Sequence, residues 1–160
     1  MKNVTTRKGA SAGIALLASF ACMAVSAAAE YEQPPVVKEF ITAMNGKDAN
    51  RLGELLSNDF VMPQRDATCD QAQSDRDCQL VRLRALLVAN AKLDLGAVKS
   101  QREVTRFNVL LTSDAIRATG VSRVSATKEI VIANGKIQSL ITTLRTEDPE
   151  TARYKQRAKI

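Results

Sequence analysis

The chain has 160 residues, of which 45% are apolar and 25% charged, and it contains three Cys, no His and no Trp. This length suits one domain, and the composition is typical of a globular protein rather than a disordered chain or a polytopic membrane protein. The lack of His excludes an imidazole general base, a Ser-His or Cys-His dyad, and a His-ligated zinc or haem site. We expect no metal and no cofactor.

The first thirty residues have the pattern of a secretory signal peptide. Lys2, Arg7 and Lys8 precede an apolar stretch over 14–25, and the small residues that follow end at Ala29. An uncleaved anchor is the alternative, because residues 10–29 could just span a bilayer. That stretch is rich in Ala, Ser and Gly, however, and gains little from transfer into lipid. We expect cleavage, a periplasmic or secreted product, and no stable membrane anchor afterwards.

Export changes how the charge and the cysteines are interpreted. Removing residues 1–29 takes away three cations and no anions, which lowers the net charge from +6 to +3. That weak excess, without an aromatic-basic stripe, favours no nucleic-acid partner. Cys69 and Cys78 remain, and an oxidising compartment would join them across a polar loop, adding about 2.7 kcal/mol in the chain-entropy model. A redox pair is the alternative, but active dithiols usually lie two residues apart.

Three helices are predicted in the first half of the mature chain. Apolar residues at helical spacing indicate a helix over 35–44, which Asn45-Gly46 ends. Asp48 is placed to cap a second, Leu-rich helix. Residues 60–62 favour a short strand that stops at Pro63. After the polar cysteine loop, a broad apolar face predicts a third helix over 78–90.

The second half of the chain predicts an antiparallel sheet. The 14 residues of 98–111 are rich in β-branched and aromatic types, and one strand of that length would reach about 46 Å, so we expect a bend or bulge. A short capped helix is expected over 113–120. Strands over 121–133 and 136–144 are joined by Asn134-Gly135, a strong hairpin signal. A capped turn could begin after Pro149 in the basic tail, 146–160. Its four cations could contact a membrane surface or an acidic partner, but we favour a solvated or frayed terminus.

Two segments resemble the nuclear-transport-factor-2-like superfamily, which includes ketosteroid isomerases and SnoaL-like polyketide cyclases. Residues 39–48 (EFITAMNGKD) are similar to the opening pattern of those domains, and 129–138 (EIVIANGKIQ) resemble their late hairpin. The resemblance covers about 34–145. It implies an α+β fold in which three N-terminal helices pack in a strongly curved antiparallel sheet, a cone-shaped α+β barrel with a pocket at its open end. The chain then divides into a signal peptide (1–29), this domain (30–145) and the tail (146–160).

The resemblance implies catalytic positions that this chain does not fill. Isomerases of the superfamily use a Tyr in the first helix as oxyanion donor, where this chain has Phe40. Their proton-shuttling carboxylate falls near Gln64, which cannot accept a proton at neutral pH. The His-Asp pair of dehydratase members is impossible without His. Glu129 and Asp66 remain as candidate catalytic bases.

The resemblance also implies which side chains line the pocket. They come from the first helix, the short strand and the sheet: Phe40, Phe60, Met62, Arg106, Asn108, Thr127 and Glu129. Because strand residues alternate between faces, half of the sheet residues would instead point outward. Arg117 could close the pocket over an anion, or it could be an ordinary exposed cation, and we favour the second.

Three functions compete on these observations. The leading prediction is an exported pocket protein that binds a small hydrophobic molecule or a protein partner without catalysis. The alternative is a cyclase-like or isomerase-like enzyme that uses Glu129 or Asp66. The third is an assembly domain that forms a homodimer through the outer sheet face, burying positions such as Val109 or Leu140.

Overall fold

The computed structural model of the chain describes residues 33–63 and 69–159. In chain order the elements are α1 (Pro35–Asn45), α2 (Ala49–Leu55), α3 (Asp75–Val88), β1 (Lys92–Gln101), β2 (Val104–Thr112), α4 (Asp114–Ala118), β3 (Val124–Ala133), β4 (Lys136–Leu144) and α5 (Pro149–Ala158). The predicted signal peptide, Gln64 and Asp66 lie outside the described residues. No helix in the described ranges is long and apolar enough to cross a membrane.

The four strands form one antiparallel sheet in the order β1-β2-β3-β4. The predicted hairpin between β3 and β4 is confirmed, with Asn134 and Gly135 at φ 51° and 70°, as a two-residue hairpin turn requires. Within 98–111, where a bend or bulge was expected, the structure has a complete reversal of the chain. The chain reverses at Arg102, whose φ is 55°, so this segment divides between β1 and β2. Periodicity could not reveal the reversal, because Arg102-Glu103 contains none of the usual turn residues.

The predicted helices at the start of the domain are confirmed, with one boundary moved. The side chain of Asp48 accepts a 2.8 Å hydrogen bond from the Arg51 amide and caps α2. The third helix begins earlier than predicted, because Ser74 caps α3 through the Asp77 amide at 3.1 Å. Aspartates in this first turn favour the helix by opposing its dipole. Part of the expected polar loop is therefore helical.

Two local predictions were wrong, and one was confirmed. Residues 60–62 form no strand; Leu56 makes one isolated parallel bridge to Ile137, and the Val61 amide donates to the Gln138 carbonyl at 2.8 Å. The short helix before β3 is confirmed as α4, which Ser113 caps. In place of a frayed terminus the chain forms α5, a helix that packs on β3.

Helix α5 is held to the sheet through one buried threonine. Asp148 caps the helix by accepting a 2.9 Å hydrogen bond from the Thr151 amide. The Thr151 side chain is fully buried, and its hydroxyl oxygen accepts a 2.7 Å hydrogen bond from the Ser125 amide of β3. This buried pairing with the sheet explains why the segment is ordered despite its four cations and low hydrophobicity.

The core lies between the helices and one face of the curved sheet. Phe40 of α1 and Leu52 of α2 pack there with the inward-facing Phe107 and Ile130. The predicted α+β fold, with helices packed against a curved antiparallel sheet, is thereby confirmed. The positions named for an outer homodimer interface, Val109 and Leu140, are instead buried among these core residues. They cannot meet a second copy on the outer face, and the homodimer itself stays a prediction.

Candidate functional site

A cavity of about 350 Å³ lies between α3 and the inner face of the sheet. One face of α3 lines it, because the four helix residues follow the i, i+3, i+4, i+7 pattern and so share one side of the helix. The sheet and the chain after α2 supply the other side. The lining residues are Met62, Pro63, Gln79, Arg82, Leu83, Leu86, Leu111, Lys128, Leu140, Ile141 and Thr142. Its volume is at the lower end of the range of about 300–1,000 Å³ for small-molecule sites.

Lys128 is the buried cation of this cavity. It occupies an inward-facing position on β3, paired with Phe107 on β2 and with Thr142 on β4, and is only 6% exposed. Its Nζ donates a 2.9 Å hydrogen bond to the Thr142 hydroxyl and lies 5.9 Å from the centre of the Phe40 ring. An aromatic face at this distance attracts an ammonium group, but only weakly.

Burial lowers the pKa of Lys128 from 10.5 to about 8, because the ammonium form loses its hydration. Among the described residues that line the cavity, none carries a carboxylate. Arg82 is the other charged group there, and it is also a cation. An ammonium has three N–H donors, of which Thr142 accepts one. The cavity therefore combines apolar sides with a cation whose hydrogen-bonding capacity is incompletely used.

Gln79 adds a second polar group to the same cavity. It lies on the cavity-facing side of α3 and is 6% exposed. No described residue makes a hydrogen bond to its side-chain amide, and the amide atoms are not among the fully buried polar atoms that lack a partner. A ligand with an oxygen atom would satisfy both this amide and the ammonium of Lys128.

The four sheet residues predicted to line the pocket lie on the opposite face. Arg106 pairs with Glu129, and Asn108 pairs with Thr127, in the register of β2 and β3. Arg106 Nε lies 2.5 Å from Glu129 Oε2, and the Thr127 hydroxyl donates to Asn108 Oδ1 at 3.1 Å. The prediction was wrong because Lys128 and Ile130 point inward, which turns residues 127 and 129 outward by strand alternation.

Arg106 and Glu129 instead border a groove of about 750 Å³ at the β1–β2 hairpin. The groove is lined mainly by exposed polar side chains on the outer face, and it contains no buried titratable group. We therefore place the candidate site in the smaller cavity, which is lined by both a buried amine and a side-chain amide. The outer groove has the character of a solvated sheet surface.

The other predicted site residues divide between the cavity and the core. Met62 lines the cavity, whereas Phe40 and Phe60 are core residues, of which Phe40 has its ring centre 5.9 Å from Lys128 Nζ. Asp66 lies outside the described residues. Arg117 is exposed and ion-paired with Asp114, in agreement with the ordinary surface cation that we favoured.

The predicted disulfide is present between Cys69 and Cys78, whose Cα atoms lie 5.0 Å apart. Both cysteines are at most 1% exposed, and Cys69 Sγ lies 3.7 Å from Met62 Sδ. The disulfide thus joins the chain next to the cavity residue Met62 to the first turn of α3. In the described parts of the chain, no group of three or more His, Cys, Asp or Glu is placed to hold a metal ion.

Sequence reasoning missed Lys128, although a signal for it existed. Alternate residues of β3 are Val124, Ala126, Lys128, Ile130 and Ile132, an apolar row with one lysine in it. A row of this kind predicts the buried face of a strand. A lysine in such a row is unusual, because Lys is almost never fully buried without a partner. A functional site would explain why it is there.

Comparison with known proteins supports the fold. No protein-family model matches the chain, and no curated protein matches it. Solved structures do match, among them a nuclear-transport-factor-2-like protein of unknown function from Cytophaga hutchinsonii, with 13% identity, a TM-score of 0.52, and coverage of 70% of this chain and 88% of the other.

Two further matches are named for enzymes. A candidate polyketide cyclase from Sinorhizobium meliloti has 17% identity and a TM-score of 0.54, with coverage of 69% of this chain and 95% of the other. A candidate ketosteroid isomerase from Kribbella flavida has 13% identity and a TM-score of 0.53, with coverage of 70% and 76%. The chain thus has the nuclear-transport-factor-2-like fold, which hosts more than one function.

Proposed function

We propose that the protein binds a small, mainly apolar molecule in the cavity between α3 and the sheet, with an oxygen atom of the ligand accepting a hydrogen bond from Lys128. The buried ammonium, to which no described residue offers a carboxylate, carries this proposal. A charge in such a place costs stability unless another group compensates it. A bound oxygen acceptor would supply that compensation, and Gln79 is placed to donate to the same ligand.

The described residues favour binding over proton-transfer catalysis. Glu129, the carboxylate that the sequence offered as a base, is ion-paired with Arg106 on the outer face. A general base must lie within hydrogen-bond reach of the proton it removes. Glu129 cannot reach a ligand in the inner cavity from that face. The apolar lining and the two polar groups are the usual composition of a small-molecule site.

A matched pair of ligands tests the role of the oxygen atom. The compounds 2-acetylnaphthalene and 2-ethylnaphthalene have the same ring system, but only the first carries a carbonyl oxygen. Their own fluorescence can report binding, because the chain contains no Trp. We expect about tenfold tighter binding of the ketone, since a hydrogen bond from a charged donor contributes about 1.5–3 kcal/mol.

Two lysine variants make this experiment specific. Lys128→Met should bring the two dissociation constants within about twofold, whereas Lys99→Met, at an exposed position on β1, should leave the preference unchanged. Equal binding of the two compounds by the native protein would contradict the role of Lys128. Failure of both to bind at millimolar concentration would contradict the ligand-binding function as a whole.

We also propose that the protein acts after export. The N-terminal pattern and the disulfide support this location, because structural disulfides persist in oxidising compartments. The full chain can be expressed in a Gram-negative host and its periplasmic fraction analysed by intact mass spectrometry. A product beginning at Glu30 is expected, and a full-length product confined to the cytoplasm would contradict export.

A further inference from the structure

Lys128 has a second property that simple binding does not use, namely that its amine can be neutral near physiological pH. With a pKa of about 8, about one-tenth of this amine is unprotonated at pH 7, against about one molecule in three thousand for a lysine at 10.5. Only the unprotonated amine has a lone pair to attack an electrophile. Catalytic lysines that form imines are activated by this kind of desolvation.

The geometry points to Lys128 as a covalent site: we infer that its Nζ condenses with an aldehyde or ketone ligand in the cavity to form an imine. This inference rests on the proposed function, because the carbonyl compound must first occupy the cavity. It adds the chemical class of the ligand and the bond that joins it to the protein. The amine and the space for a ligand lie together, since Lys128 is part of the cavity lining.

The condensation needs no oxidant, reductant or metal. The Nζ lone pair forms a bond to the carbonyl carbon, and the electron pair of the carbonyl π bond moves to oxygen, which takes a proton released by the amine. The nitrogen lone pair then expels this oxygen as water, with a second proton from nitrogen, and the C=N bond forms. The two hydrogens of the neutral amine and the carbonyl oxygen thus leave together as one water molecule.

Groups facing Lys128 are arranged in a way that suits these steps. Thr142 accepts a hydrogen bond from Nζ at 2.9 Å, which orients the amine. Gln79 lines the same cavity from α3, and its side-chain amide carries the N–H donors that a developing oxygen anion needs. Arg82, the other charged group that lines the cavity, is a cation and therefore does not stabilise the ammonium form. The centre of the Phe40 ring of α1 lies 5.9 Å from Nζ.

Formation of the imine would also remove the unfavourable charge. A neutral imine nitrogen has no ammonium to hydrate, so the burial that penalises the free lysine favours its condensed form. Exposed lysines of the described chain, such as Lys99 on β1, gain nothing of this kind. The inference therefore predicts selectivity for one lysine among many.

Reductive trapping tests the inference directly. The protein is incubated at pH 7 with 2-naphthaldehyde and sodium cyanoborohydride, which reduces an imine to a stable secondary amine, and the modified lysine is identified by peptide mass spectrometry. We expect labelling of Lys128 at least tenfold above that of Lys99. Labelling should rise with pH with a midpoint near pH 8 and level off about one pH unit higher, whereas labelling of exposed lysines should keep rising towards pH 10.

Each other outcome counts against the inference. Labelling of Lys128 at or below that of Lys99 would overturn it, and this readout needs no variant that must fold. If 2-acetylnaphthalene binds with the expected preference while Lys128 stays unlabelled, the proposed binding function is supported and the inferred imine is rejected. If neither compound enters the cavity, the proposed function falls too. Lys128→Arg, which keeps a cation but cannot form this imine, should lose the selective label while circular dichroism confirms its fold.

Discussion

Lys128 Nζ and Thr142 Oγ1 are joined by a 2.9 Å hydrogen bond between directly opposed residues of β3 and β4. Thr142 is exposed, although it faces the helices, whereas Lys128 is buried. The pair therefore connects the interior of the cavity with its rim at the edge strand. This position makes the amine reachable by a ligand while most of its hydration is lost.

The buried amine predicts a stability that changes with pH. The folded chain has a pKa of about 8 at Lys128, and the unfolded chain has about 10.5. Between these values the unfolded chain holds a proton that the folded chain has released, so the contribution of Lys128 to the free energy of unfolding rises with pH across that window. Over the whole window the free energy of unfolding changes by about 3 kcal/mol. Below pH 8 the folded chain bears the full cost of burying the charged lysine.

Lys128→Met should therefore raise the free energy of unfolding at pH 7 by about 1–3 kcal/mol. It should also reduce the change of this free energy with pH between pH 8 and 10. Urea unfolding followed by circular dichroism measures both effects. Lys99→Met is the matched control, and we expect it to retain the native slope because Lys99 is exposed. A loss of stability in Lys128→Met at pH 7 would show that the buried charge is compensated.

Thr142→Val should lower the pKa of Lys128 below that of the native protein. The hydroxyl accepts a hydrogen bond from the ammonium and so favours the protonated form. NMR titration of the lysine Cε resonance measures the midpoint. Thr143→Val is the neighbouring control, because Thr143 pairs with Thr127 on the outer face. Equal titration midpoints in the native protein and both variants would show that the hydrogen bond to Thr142 does not affect the pKa of Lys128.

Glu129→Gln should leave binding of 2-acetylnaphthalene unchanged within about twofold. Its carboxylate contacts Arg106 on the outer face and cannot reach the cavity. Loss of this largely exposed pair should cost less than about 1 kcal/mol of unfolding free energy. Fluorescence titration and urea unfolding measure the two quantities, and a tenfold weakening of binding would return Glu129 to the candidate site.

Removal of the disulfide should lower the free energy of unfolding and weaken ligand binding in the cavity. The double substitution of Cys69→Ala and Cys78→Ala should lower the free energy of unfolding by about 2–4 kcal/mol, because the unfolded chain loses a cross-link. It should also loosen ligand binding, since Cys69 contacts Met62 beside the cavity. Reducing agent should affect only the native protein. If the native protein keeps its stability after reduction, the disulfide is not a stabilising cross-link.

Local chemistry was sufficient to predict several elements. Asp48 caps α2 and Asn134-Gly135 forms the β3–β4 turn, because each depends on residues only a few positions apart. Helix α5 could not be predicted from neighbouring residues alone. It depends on the contact between Thr151 and the amide of Ser125, which lies 26 positions earlier in the chain.

The sequence by itself determined helices α1 to α4, the late hairpin, the cysteine pair and the exclusion of His-based chemistry. Residue type and short-range spacing carry all of that information. Only the tertiary structure decided which face of β3 meets the helices, because a shift of one residue exchanges the two faces. That choice moved Glu129 to the outer face and brought Lys128 beneath α3. The candidate site is therefore a product of packing, in which one lysine loses its water and becomes available to a ligand.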